Sequence, residues 1–175
     1  DYDETLQQTS YENGYFITNE GNFGVPNADV TFVTKDLNFG QNNIYKNNNA
    51  NENLGDVLQT ITISGDKAYL LLNGSNKIQI VNRSTFKKIG EITDQLNNPR
   101  YMAVANGNIY VSNDQYNGPK TVNVYKLSDN SFVKKINFTD TVERIVVAGG
   151  NIFVQNASYS FGNKITKINT TTNEI

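Results

Sequence analysis

An all-β fold of repeated antiparallel sheets is predicted by three features of this 175-residue sequence. Short runs rich in Val, Ile, Tyr and Phe are bounded by Gly, Asn, Asp and Ser, which suits strands joined by turns and is too short for helices. The group of runs recurs along the chain. Its aromatic anchors, Tyr69, Tyr110 and Phe153, lie roughly 40 residues apart, the period of a four-stranded blade. Together these predict a β-propeller with about four visible blades, each a meander of four strands.

Residues 1–13 are polar and acidic at their start and form a lead-in ahead of a propeller region at 14–175. Asp1–Ser10 reads either as a mobile segment or as a strand given to a neighbour. Strand signals begin at Gly14–Asn19, where Phe16 takes the anchor position, and continue through Ala28–Val33. Asn dominates from Asn38 to Asn53, and the apolar pair Ile44 and Tyr45 predicts a short edge strand inside a loop. The next copy comprises Gln59–Ile63, Lys67–Asn73, Lys77–Val81 and Phe86–Ile92. The clearest one comprises Pro99–Val104, Asn108–Asn113, Thr121–Leu127 and Phe132–Phe138, with a tight Asn106-Gly107 turn. A last copy is made by Arg144–Val147, Asn151–Asn156 and Lys164–Ile168. An open ring exposes two strand edges, a hazard for aggregation, so further blades past Ile175, or blades from another chain, are expected.

Composition removes several kinds of chemistry. With net charge -2 and pI near 5.1, nothing attracts a phosphate backbone, so no nucleic-acid partner is expected. No run is long and apolar enough to be read as a membrane-spanning helix. Cys and His are both absent, which leaves no disulfide, no thiolate, no imidazole base and no zinc site of the usual ligands. No cofactor and no metal site are expected.

Alternating strand directions put the connections of second to third strands on one face. These connections, Glu20–Gly24, Asp114–Pro119 and Ala157–Gly162, are long and carry Phe23, Tyr116, Tyr159 and Phe161. Gln59, Arg100 and Glu143 stand at equivalent entries to first strands on that same face. Two readings apply to this polar set: mutual pairing at the mouth of the propeller, or a clamp in which Arg100 offers a planar fork to a ligand. The aromatics read equally as packing over blade ends or as a recognition surface. Asp56 and Asp114 suit turn capping better than calcium. Paired carboxylates such as Glu20 and Asp56 are the candidates for acid–base chemistry on the loop face.

Asn19-Glu20-Gly21-Asn22-Phe23-Gly24, Leu54-Gly55-Asp56-Val57, Lys67-Ala68-Tyr69, Pro99-Arg100-Tyr101 and Ile109-Tyr110-Val111-Ser112-Asn113 resemble the bacterial surface proteins with YVTN-type propeller repeats. They are most similar to extracellular lipoproteins of the DUF5074 kind, from Gly14 onward. The resemblance implies a ring of about seven blades, a lipid anchor upstream of Asp1, and a place on the outer face of the bacterial outer membrane or in secreted form. It also implies association with an outer-membrane complex or TonB-dependent transporter. The lipidated cysteine of such relatives is not in this sequence, and no cobamide-contact residue can be matched.

The expected function is therefore non-enzymatic: a surface-exposed binding module, accessory to a transporter or other envelope complex. The alternatives are capture of a small-molecule nutrient, cobamide-like or glycan, and a propeller lactonase or lyase.

Overall fold

Strand and turn chemistry divide the chain into four successive antiparallel sheets in the computed structural model, which describes residues 10–158 and 160–175. The first sheet contains β1 (Gly14–Asn19), β2 (Asp29–Thr34) and β3 (Gly40–Gln41), followed by one short helix, α1 (Ile44–Asn48). The second contains β4 (Leu58–Ser64), β5 (Lys67–Leu72), β6 (Lys77–Asn82) and β7 (Lys88–Ile92). The third contains β8 (Pro99–Ala105), β9 (Asn108–Asp114), β10 (Lys120–Lys126) and β11 (Phe132–Phe138). The fourth contains β12 (Ile145–Ala148), β13 (Asn151–Ser158) and β14 (Phe161–Ile168). The propeller expectation holds, with three strands rather than four in the first and last sheets among the described residues.

Both faces of the middle strands are buried, which is why they read as nearly continuous apolar runs. In β5, Ala68, Leu70 and Leu72 enter a core shared with the first sheet, while Tyr69 and Leu71 enter the core shared with the third. The two sets alternate because successive side chains point to opposite faces of a strand. In β9 the same alternation sends Ile109 and Val111 toward the second sheet and Tyr110 toward the fourth. Burial of each such side chain contributes roughly 1.5–3 kcal/mol. Three inter-sheet cores therefore hold four sheets in series.

The turn between β8 and β9 uses Asn106 and Gly107, both with positive φ, 47° and 73°. That is the type I′ geometry which matches strand twist in a two-residue hairpin. β1 packs against β4 as β5 packs against β8. It is therefore the counterpart of a second strand, and Phe16 holds the anchor position that the sequence predicts for it.

Three local features differ from expectation. Ile44 and Tyr45 lie in α1 rather than in a strand, fully buried against β2. The edge strand is present a few residues earlier, at Gly40–Gln41. A helical turn forms there because the Asp29 carboxylate accepts hydrogen bonds from the N–H groups of Tyr45 at 2.9 Å and Lys46 at 3.2 Å, satisfying orphan donors of the helix start from a distant strand. The expected loop Ala157–Gly162 is mostly strand, since β13 runs to Ser158 and β14 starts at Phe161. Within the expected lead-in, Tyr11 is buried among the rings of Phe32 and Phe86.

The outer faces of the first and last sheets repeat the pattern of the inner ones without the cover. Tyr15 and Ile17 match Ile109 and Val111 by position, and Val146 and Ile165 match Ala103 and Val122. The inner four are buried, whereas the outer four are exposed.

Candidate functional site

The residues at the mouths of the second and third blades are set by a repeated irregularity in the first strand of each. Register slips between Leu58 and Thr60 in β4, and between Pro99 and Met102 in β8. Such bulges redirect a side chain at a strand end, here Gln59 and Arg100. Glu143 holds the same place just before β12, where its N–H donates to the Gln155 carbonyl at 2.9 Å.

Arg100 and Glu143 meet across the gap between the third and fourth sheets. Nη2 donates to Oε1 at 2.9 Å and Nε donates to Oε2 at 3.3 Å. Their side chains are only 14% and 12% exposed. The Ser158 hydroxyl adds a long bond to Glu143 Oε2 at 3.4 Å. Beside them, Lys120 Nζ lies 2.8 Å from Asp114 Oδ1, and Asp114 Oδ2 accepts the Val142 N–H at 3.0 Å. Lys120 and Asp114 are direct cross-strand partners at the mouth of the β9–β10 hairpin.

These two ion pairs form the floor of a cleft of about 390 Å³ on the loop face, bounded also by Asn98, Asn117 and Thr141. Tyr116 and Phe161 line it as well, one from each sheet, 87% and 73% exposed. A second hollow of about 450 Å³ shares Asn98 and Arg100 with the first and contains Gln59 and Phe23. Gln59 is thus not in the ion-pair cluster. Its amide nitrogen donates to the Tyr101 hydroxyl at 3.4 Å, and its oxygen accepts from Asn73 at 3.0 Å. Phe23 is fully in the open, like Tyr116. Tyr159, the remaining aromatic expected on this face, lies outside the described residues.

Asp56 and Asp114 tie loops to neighbouring blades. Asp56 Oδ2 accepts the Gly24 N–H at 2.9 Å, much as Asp114 takes that of Val142. Among the described residues, no group of three or more acidic, His or Cys side chains converges as a metal site requires. Glu20 contributes its backbone carbonyl, which accepts the Leu58 N–H at 3.2 Å.

Lys120, Asn98 and Thr141 are cleft residues that sequence reasoning missed, and Asp114 entered it only as a calcium or turn-capping candidate. The signal for Lys120 was present: Asp114 and Lys120 bracket one hairpin loop, where opposite charges face each other across the strands. Asn98 had no comparable signal, because its backbone N–H donates to Asn76 Oδ1 of the preceding blade at 2.6 Å and its side-chain amide donates to the Asp114 carbonyl at 2.5 Å, both distant in sequence.

Solved structures share this architecture. Hydrazine synthase of Kuenenia stuttgartiensis is similar over 67% of this chain and 34% of its own, at 24% identity and a TM-score of 0.59. The WD40 β-propeller domain of Doa1 is similar over 82% of this chain and 43% of its own, at 14% identity and a TM-score of 0.59. The computationally designed Ika4 protein is similar over 79% and 77%, at 6% identity and a TM-score of 0.55. Identities this low carry the fold and nothing further. The chain spans less than half the length of the first two. No curated protein matches it. Residues 13–175 match the family described as a domain of unknown function, DUF5074, so this β-propeller chain belongs to the DUF5074 family.

Proposed function

We propose that the chain is a non-enzymatic binding module of the bacterial cell envelope which engages its target through the loop face. The carrying observation is the cleft between the third and fourth sheets, where two partly buried ion pairs and two exposed aromatic side chains line the same hollow. Large exposed rings beside paired polar groups are the usual makings of a recognition surface. The carboxylates of the cleft are engaged by cations and by a backbone N–H, which suits positioning better than proton abstraction. This favours binding over a lactonase or lyase activity.

In the finer part of this reading, which the resemblance of its motifs to surface lipoproteins implies, the module sits at the outer face of the outer membrane as an accessory to a transporter or other envelope complex. Capture of a nutrient in the cleft is compatible with the same role. The test is mild purification of the intact protein from its native envelope, with mass spectrometry of everything that accompanies it. Stoichiometric recovery of a membrane partner, lost in Tyr116→Ala and Phe161→Ala, is the expected result. Recovery alone, in wild type and variants equally, would overturn the accessory role.

A further inference from the structure

Resting on the reading of the cleft as a binding site, we propose that its ligand is a neutral saccharide. Charge comes first in the argument. Two cations, Arg100 and Lys120, are matched by two carboxylates, Glu143 and Asp114, at contact distance. A ligand with net charge meets equal numbers of both signs here, so its attraction to one member of a pair is offset by repulsion from the other. A wholly apolar ligand leaves the polar groups of the cleft without a hydrogen bond.

Hydroxyl groups meet neither obstacle, because each is both donor and acceptor. Asp114 accepts from Lys120 and from the Val142 N–H, leaving lone pairs that a sugar hydroxyl can use. Lys120 donates to Asp114 and to the Gln115 carbonyl, and an ammonium group has a third N–H. A polyol therefore adds to the paired floor without opening it.

Aromatic geometry supplies the second, independent part. Tyr116 stands in the β9–β10 loop and Phe161 at the start of β14, so each sheet contributes one ring to the cleft. Their high exposure leaves ring area available. The face of an aromatic ring is electron-rich, and the C–H faces of a pyranose are its natural complement. The cleft volume of about 390 Å³ falls within the range of small-molecule sites, about 300–1,000 Å³.

The experiment is a protein-observed NMR titration of the intact protein with three sets of probes. These are the neutral disaccharides cellobiose, maltose and N,N′-diacetylchitobiose, the charged sugars glucuronic acid and glucosamine, and the aromatic fragment p-cresol. The expected result is saturable shifts at Tyr116, Phe161 and the Lys120 region with at least one neutral disaccharide, weakened about tenfold by Tyr116→Ala. Shifts in the cleft with charged sugars or p-cresol alone overturn the saccharide assignment and leave the binding module standing. If no probe of any class moves the cleft resonances, the saccharide assignment falls, while loss of a membrane partner in Tyr116→Ala and Phe161→Ala remains the separate test of the cleft as a binding site.

Discussion

The guanidinium of Arg100 grips the carboxylate of Glu143 through two nitrogens, Nη2 at 2.9 Å and Nε at 3.3 Å, and so joins the third blade to the fourth. The Ser112 hydroxyl reinforces the join by donating to the Glu143 carbonyl at 2.7 Å. The pair that floors the cleft is thus also a structural tie, and its loss is felt in stability as well as in binding.

Arg100→Ala is expected to destabilise the chain by roughly 1–3 kcal/mol, the range for a charged hydrogen-bonded group left without its partner. Glu143→Ala is expected to cost a similar amount, and the double variant less than the sum. Denaturant melts of the four proteins give the coupling energy; strict additivity would show that the two side chains act independently.

Tyr116→Ala and Phe161→Ala are expected to change stability by no more than about 0.5 kcal/mol, because both rings are exposed. Loss of a target in these variants with an unchanged melting temperature separates recognition from folding. A marked fall in melting temperature would show instead that the rings pack over the blade ends.

Asp29 accepts hydrogen bonds from three backbone N–H groups, that of Val30 beside it and those of Tyr45 and Lys46, which join β2 to α1. Asp29→Ala is expected to cost roughly 2–4 kcal/mol, since buried amides lose their acceptor. Burial raises the Asp29 pKa above its ordinary 3.8, and the three N–H bonds only partly offset this. A raised acid pKa in the folded state favours folding while the group is protonated. The stability of the wild type relative to Asp29→Asn is therefore highest below pH 3.8, falls as pH rises through the raised folded value, and is flat above it. Paired melts across that range check the sign.

Tyr69 and Tyr110 occupy the same place in successive blades with different surroundings. The Tyr110 hydroxyl donates to Asn173 Oδ1 at 2.6 Å, whereas the buried Tyr69 hydroxyl has no hydrogen-bond partner among the described residues. Tyr110→Phe is expected to lose about 1 kcal/mol. Tyr69→Phe is expected to be neutral or to gain about as much, because it removes a buried polar group that is not compensated. Equal effects in thermal melts would contradict the asymmetry.

The exposed flanks predict association of the isolated 175-residue chain. Tyr15 and Ile17 on one flank and Val146 and Ile165 on the other carry the chemistry that fills inter-blade cores elsewhere. Sedimentation should show mass rising with protein concentration, suppressed in Ile17→Lys combined with Ile165→Lys. A monomer at all concentrations would indicate that the flanks are not adhesive.

Much of the architecture was legible because it is local and repeated. Alternation in Lys67–Leu72, the Asn106-Gly107 turn and the recurrence of Tyr69, Tyr110 and Phe153 each constrain the backbone within a few residues. The helix at Ile44–Asn48 was not legible, since its first N–H groups are satisfied by Asp29, which lies well upstream in β2. A run of Asn residues carries no helical period of its own, and only the acceptor brought by the fold makes the turn favourable.

The cleft divides along the same line. Strand positions placed Gln59, Arg100 and Glu143 at equivalent blade mouths, because a strand entry is fixed by its distance from the turn that follows. Which of the three would meet depended on the separation between neighbouring sheets. Arg100 reaches Glu143 across one gap, while Gln59 turns to Asn73 and Tyr101. Sequence alone determined the repeat, the strand faces and the loop end that carries the aromatics, since all of these follow from backbone periodicity and turn chemistry. Tertiary structure decided the ion pairing, the cleft and its lining, because those depend on distances between sheets, and such distances are set by how the buried side chains pack.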